Sequence, residues 1–364
     1  MTGRIRLGMV GGGAGAFIGA VHRIAARMDD RFELVAGALS SDPERAEASA
    51  RALGLPRSYE SFEEMARVEA AREDGIEAVA IVTPNNLHAG PAIAFLDAGI
   101  HVICDKPLAA TQEEAEAIAA AVARSKARFF LTHNYGSLPM VREAKALIAD
   151  GAIGDLRLVQ VNYLQGWLSE PVQSKQADWR NDPKQAGAGA LGDIGTHAWQ
   201  LAAFVTGETP SQIAAEVSSM VPGRPIDDDA RVALRYASGA KGGIWVSQVA
   251  IGHENALTLD VYGTTGALHW AQETPERLIY VPKNEPARIL TRSQDRSTSF
   301  RTPPGHPEGY LEGFANLYSD IADVIQGNDA HADRIPGIDT ALSGMRFIQA
   351  AQMSSAEDGK WVRI

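Results

Sequence analysis

The sequence predicts an α/β fold in two parts: a doubly wound parallel sheet over residues 1–132, then an α+β domain over residues 133–364 built on a large, mainly antiparallel sheet. Three observations carry this. Short apolar runs alternate with amphipathic segments from residue 4 to about residue 132, as βαβ units do. Beyond residue 150 longer β-runs follow one another directly. A chain of 364 residues is also long for a single core.

The first strand is Ile5-Arg6-Leu7-Gly8-Met9-Val10, followed by Gly11-Gly12-Gly13-Ala14-Gly15 and a helix from about Ile18. Glycines let backbone approach a pyrophosphate closely, and a helix start presents free N–H groups to it. The plainer alternative is a glycine-rich turn. The G-x-G-x-x-G spacing is not met, because Gly19 arrives late after Gly11 and Gly13, so the loop is read as lengthened. A second strand, Phe32 to Leu39, ends at Ser40-Ser41-Asp42-Pro43-Glu44-Arg45. An acidic side chain there would bind the ribose hydroxyls of NAD. Ser40 stands at that place, Asp42 reads as the N-cap of the helix opened by Pro43, and Ser40, Ser41 and Arg45 would tolerate a 2′-phosphate. NAD and NADP both stay open, with NAD slightly favoured.

Ala78 to Val82 is a further strand running into Thr83-Pro84-Asn85-Asn86-Leu87-His88, with a helix from about Gly90 to Ala98. Ile100 to Cys104 then leads to Asp105-Lys106-Pro107, placing an amine at the carboxyl end of a strand, where such sheets bind ligands. Thr111-Gln112-Glu113-Glu114 is a capping box, and Arg128 to Thr132 a last strand ending at His133-Asn134-Tyr135.

In the second part, the clearest strands are Leu156 to Leu164, Ile213 to Met220, Ala230 to Tyr236, Gly242 to Ala250 and Ala256 to Tyr262. Trp245 and Val261 are candidates for an interface, with buried core as the plainer reading. A helix carries Gly192-Asp193-Ile194-Gly195-Thr196-His197, with Asp193 and His197 four apart on one face. Histidine passes protons near neutral pH, and a carboxylate beside it can orient it; an ordinary i,i+4 pair is the alternative. Thr291 to Pro304 reads as an exposed loop, and Gly305 to Tyr310 as a pocket edge or a turn. Helices around Phe314 to Ile325 and Ile338 to Ser354 are expected to pack back on the sheet or the first domain.

With 45 acidic against 34 basic residues, the net charge of −11 argues against a nucleic-acid surface. No apolar stretch approaches the roughly 18 residues of a membrane span. Met1 to Arg4 lead directly into a strand, so no signal peptide is expected, and the single Cys104 fits a reducing cytoplasm. The nine histidines show no zinc-site spacing, so no metal is expected.

Taken together, the glycine loop, Thr83-Pro84-Asn85, Asp105-Lys106-Pro107 and Gly192 to His197 resemble the Gfo/Idh/MocA family of nicotinamide-dependent oxidoreductases over essentially the whole chain. The resemblance implies a Rossmann domain, an open-faced sheet domain, and a sugar, glycoside or cyclitol substrate oxidised at a ring hydroxyl. It implies that Lys106, Asp193 and His197 are catalytic. It assigns NAD or NADP to Gly11, Gly13, Ala16, Phe17, Ile18, Ser40, Ser41, Arg45, Thr83, Pro84, Asn85, His88, Asp105, Lys106 and Asn134. Substrate falls to Lys106, Tyr163, Trp167, Trp179, Arg180, Asp193 and His197, an aromatic wall with one guanidinium suited to a hydroxylated ring. A homodimer or homotetramer is implied as well. Redox-assisted glycoside cleavage with bound NAD and a non-catalytic dinucleotide or sugar sensor are the alternatives.

Overall fold

The computed structural model describes residues 3–172, 179–292 and 300–364. The chain forms two compact units, Met1–Asn134 with Leu311–Leu342, and Tyr135–Tyr310 with Ser343–Ile364. Of the stretch expected as a loop after Thr291, residues 293–299 lie outside the described residues.

The first unit is a six-stranded parallel sheet. Its strands are β1 (Ile5–Gly11), β2 (Phe32–Ala38), β3 (Arg57–Ser58), β4 (Ala78–Val82), β5 (His101–Cys104) and β6 (Phe129–Leu131), in the order β3-β2-β1-β4-β5-β6. All five residues of β4 are buried, as are Ile5, Leu7 and Met9 of β1. Such unbroken apolar runs are what a parallel sheet needs when helices cover both faces. Those helices include α1 (Phe17–Met28), α2 (Pro43–Leu53), α3 (Phe62–Ala70), α4 (Ala89–Asp97) and α5 (Gln112–Arg124). Local capping fixes several starts. Asp42 accepts the Arg45 N–H at 2.9 Å ahead of α2, and Thr111 with Glu114 forms the full capping box ahead of α5. Strand order reverses between β1 and β4, the switch point at which such sheets bind ligands beyond the strands' carboxyl ends. Register pairs Gly11 with Val82, Ile81 with Cys104 and Cys104 with Leu131, so Thr83, Asp105 and Thr132 emerge along one edge.

The second unit contains α6 (Pro139–Ala149) and a nine-stranded sheet. Its strands are β7 (Leu156–Leu164), β8 (Gln212–Ser218), β9 (Asp229–Arg235), β10 (Lys241–Ser247), β11 (Ala256–Gly263), β12 (Gly266–Ala271), β13 (Arg277–Pro282), β14 (Arg288–Thr291) and β15 (Val362–Arg363). Their order is β14-β13-β12-β11-β7-β10-β9-β8-β15, antiparallel except where β7 meets β10. Period-2 alternation sorts the two faces. Val232, Ile244, Val161, Leu259 and Trp270 form one buried row across neighbouring strands, while Arg231, Trp245, Asn162 and Thr258 form a row on the other face. Val261 is therefore core and Trp245 is half-exposed. That second face carries a depression of about 710 Å³ lined by Gln160, Glu216, Arg231 and Trp245 among others.

The motif helix differs from the expected regular helix. Leu191–Gly195 is a π-helical turn, and α7 (Thr196–Thr206) follows it. Trp199 of α7 is buried, stacked on Phe347 at 4.8 Å, with its indole N–H donating to Ser343 Oγ at 2.9 Å. Two further helices, α8 (Tyr310–Ile325) and α9 (Ile338–Ala356), come before β15. Gly305 has φ +96° and His306 is exposed, so the stretch before Tyr310 forms a turn.

Candidate active site

In the first unit the glycine loop is tight where it meets the helix. Gly11 and Gly12 adopt φ +75° and +70°, which other residues rarely sustain. A Cβ on Gly19 would stand 2.5 Å from the Gly12 Cα, so α1 packs directly on the loop. Gly19 thus takes the helix-packing place of the third glycine, three residues later than the G-x-G-x-x-G pattern places it, in keeping with a lengthened loop. No side chain caps α1: Ala16 stands at its N-cap, no acid occupies its first turn, and Phe17 is 62 % exposed. Its first N–H groups are left to face an anion.

At the end of β2, Ser40 Oγ accepts the Asp42 N–H at 3.1 Å, and Ser41 and Arg45 are exposed. Thr83 Oγ1 donates to the Leu87 carbonyl at 3.0 Å and Asn85 is buried. His88, expected to bind cofactor, is instead fully buried, its ring nitrogens each 3.0 Å from a carbonyl oxygen, that of Pro107 and that of Thr83. It therefore packs between the loop after β4 and the loop after β5.

Asp105 is buried, and Lys106 beside it is half-buried. Thr132 Oγ1 donates to Asp105 Oδ1 at 2.7 Å, and His22 Nε2 lies 3.8 Å from the same oxygen. Burial alone would raise the Asp105 carboxyl, but His22, Lys106 and Thr132 outweigh it and hold the group well below the ordinary carboxylate range. His22 is positioned from behind by Tyr318, whose hydroxyl is 2.8 Å from Nδ1. His133 is driven down to about 3 by burial and by the charge of Lys106. Asn134 is buried beside it in sequence.

In the second unit His197 is buried, with its ring 4.9 Å from that of Tyr135 and 6.1 Å from that of Tyr163. The two tyrosine hydroxyls are 2.6 Å apart, and burial raises both pKa values. Tyr163 donates to Asn255 Oδ1 at 2.8 Å, Gln165 Nε2 donates to the same oxygen at 2.8 Å, and Trp167 donates to Gln165 Oε1 at 2.9 Å. Asp193 Oδ2 accepts from Gln248 Nε2 at 2.9 Å and from Arg180 Nε at 3.3 Å. The Arg180 guanidinium lies over the Trp179 ring at 4.4 Å. Tyr163 and Trp167 thus share one hydroxyl–amide chain, with the His197 ring packed against its tyrosine end, while Asp193, Arg180 and Trp179 form a second group. Among the described residues no group of three or more His, Cys, Asp or Glu is arranged to hold a metal. None of the described helices is long and apolar enough to cross a membrane.

Family models account for both parts of the chain. Residues 5–133 match an oxidoreductase family with an NAD-binding Rossmann fold, and residues 141–269 match the GFO/IDH/MocA C-terminal domain. A levoglucosan dehydrogenase of Pseudarthrobacter phenanthrenivorans is 32% identical over 84% of this chain and 82% of its own. The chain belongs to the GFO/IDH/MocA oxidoreductase family. Solved structures of similar proteins share its fold end to end. An oxidoreductase from Sinorhizobium meliloti is 50% identical with a TM-score of 0.91, covering 100% of both chains. An inositol dehydrogenase homologue from Azotobacter vinelandii, complexed with NADH and myo-inositol, is 32% identical with a TM-score of 0.93, covering 100% of this chain and 98% of its own. As a GFO/IDH/MocA protein this chain is an NAD-binding oxidoreductase, and the residues present fit that cofactor: a positive-φ glycine turn packed on an uncapped helix start is a cradle for a pyrophosphate.

Sequence reasoning passed over His22, Thr132, Tyr135, Gln165, Gln248, Asn255 and Tyr318. The one faint signal among them is His22, a polar residue on the apolar stripe of α1.

Proposed function

We propose that this oxidoreductase transfers hydride between the nicotinamide of NAD and a ring hydroxyl carbon of a sugar, glycoside or cyclitol. The observation that carries the reading is the buried His197 packed against two hydrogen-bonded tyrosines, in a chain whose relatives include a levoglucosan dehydrogenase and a protein complexed with myo-inositol. When bound, the nicotinamide supplies the hydride acceptor for oxidation and the donor for the reverse direction. His197 accepts the hydroxyl proton. Lys106 stabilises the developing alkoxide by charge, with the ionised Asp105 beside it in sequence. Asp193 is oriented by Gln248 and Arg180 and orders the substrate hydroxyls. Trp167 spends its N–H on Gln165, so it offers substrate an aromatic face, as does Trp179. Tyr135 and Tyr163 are protonated at neutral pH, as ordinary tyrosines are, and burial moves their pKa values further up.

NAD is proposed over NADP because no side chain at the end of β2 is arranged as a built phosphate site: Ser40 is engaged by the Asp42 N–H, and Arg45 is exposed. The proposal extends to a homodimer or homotetramer formed through the open sheet face, and to the cytoplasm, with Cys104 as the only cysteine. The test is turnover of a panel of cyclitols, aldoses and glycosides with NAD⁺ or NADP⁺ by wild type, Lys106→Met and His197→Ala. Loss of turnover in both variants with cofactor binding intact supports the assignment. Turnover within a few-fold of wild type in both overturns it, and glycoside cleavage without net NADH points to the redox-assisted reaction.

A further inference from the structure

We infer that Asp227 is a positioning residue for Asp193 and His197, acting through the backbone that enters their π-helical turn. The inference rests on the reading that those two side chains serve the reaction. Asp227 lies just ahead of β9, and its carboxylate accepts the backbone N–H of Gly189 at 2.7 Å and that of Leu191 at 2.7 Å. Its own carbonyl accepts the N–H of Ala190 at 3.0 Å. One residue therefore takes up three successive amides immediately before and into the turn over Leu191–Gly195. A helix start is ordinarily satisfied by a local side chain. Here the partner stands 38 positions from Gly189 along the chain, so tertiary structure sets where the turn begins. Contact at this point is close: a Cβ on Gly189 would fall 1.8 Å from the Asp227 carbonyl oxygen.

The next residue governs the other side of the same carboxylate. The Asp228 carbonyl accepts the N–H of Gln248 at 2.8 Å, and Gln248 Nε2 donates to Asp193 Oδ2 at 2.9 Å. Asp228 is itself fully buried, bound by the Met220 and Val221 N–H groups and by Arg224. The Asp227-Asp228 pair thus sets both the backbone from which Asp193 and His197 project and the amide that holds the Asp193 oxygen. Single-turn π-helical insertions concentrate at functional sites because they re-aim side chains. Asp227 is the side chain that anchors this one.

Asp227→Asn keeps one acceptor oxygen and turns an NH₂ toward the second backbone N–H, so one of the two amide bonds is lost. Histidine-labelled protein followed by NMR through a pH titration reads the His197 midpoint directly, with His197→Ala assigning the signal. In Asp227→Asn the midpoint shifts, the Gly189 or Leu191 amide exchanges faster, and kcat falls by about 10- to 100-fold while NAD affinity stays within about twofold. Asp227→Glu, which keeps the carboxylate, recovers part of kcat and returns the midpoint toward wild type. If Asn loosens the fold, the Glu variant supplies the same readouts. An unchanged midpoint together with faster amide exchange overturns the inference. If His197→Ala keeps its turnover, the functional reading fails, and the midpoint still decides whether Asp227 positions this ring.

Discussion

Replacing Gly19 with alanine tests the packing that shapes the dinucleotide cradle. The new Cβ would sit 2.5 Å from the Gly12 Cα and 2.7 Å from its carbonyl oxygen, both backbone atoms that no rotamer change can remove. Carbon atoms rest about 3.5–4.0 Å apart, so α1 and the loop must separate by about 1 Å or more. Overpacking of this kind costs about 1–3 kcal/mol. If the loop yields, that cost falls on cofactor binding and weakens it by about 5- to 150-fold. If the loop holds, the cost appears as lost stability. Calorimetric titration with NAD⁺ and a thermal melt of the cofactor-free protein read the two terms separately. A Gly19→Ala protein that binds NAD⁺ within about twofold of wild type and melts at the same temperature would refute the reasoning.

Three further outcomes follow from the geometry. Burial lowers the His88 pKa, so its neutral ring donates one N–H, to the carbonyl of either Thr83 or Pro107; His88→Leu leaves that carbonyl without its donor and should cost about 1–3 kcal/mol, read by urea unfolding, and a loss below about 0.5 kcal/mol would show that the ring does not hold the loops. Buried His133 has its pKa depressed to about 3, so between that value and the ordinary value near 6.5 the unfolded chain binds the extra proton. Stability is therefore complete above about pH 6.5 and falls as pH drops, with a slope approaching about 1.4 kcal/mol per pH unit for this group; urea melts between pH 7 and pH 5 should flatten in His133→Gln, and identical slopes would contradict the assignment. Trp245→Asp on the open sheet face should lower the mass measured by light scattering, and an unchanged mass would remove that face as the interface.

Features that depend on neighbours three or four residues apart were legible in the chain. Asp42 capping α2 and the Thr111-Glu114 box are examples, because both partners lie within one helical turn. The parallel sheet was legible because burial on both faces demands unbroken apolar strands such as Ala78 to Val82. By contrast β12, β13 and β14 escaped notice, since they are only 6, 6 and 4 residues long and too short for a clear alternating run. The π-helical turn was invisible too, because its anchor at Asp227 is remote in sequence. In an acidic chain, Asp227, Asp228 and Asp229 look like a solvated run, yet each accepts a specific hydrogen bond. His88 shows the limit for sites: only three-dimensional structure reveals that its ring faces two carbonyls.

The most direct test of the central claim is nicotinamide absorbance during incubation of the purified protein with NAD⁺ and a cyclitol and sugar panel, run beside Lys106→Met. The account predicts substrate-dependent formation of NADH that Lys106→Met abolishes while still binding NAD⁺. NADH formation that survives the substitution would contradict it.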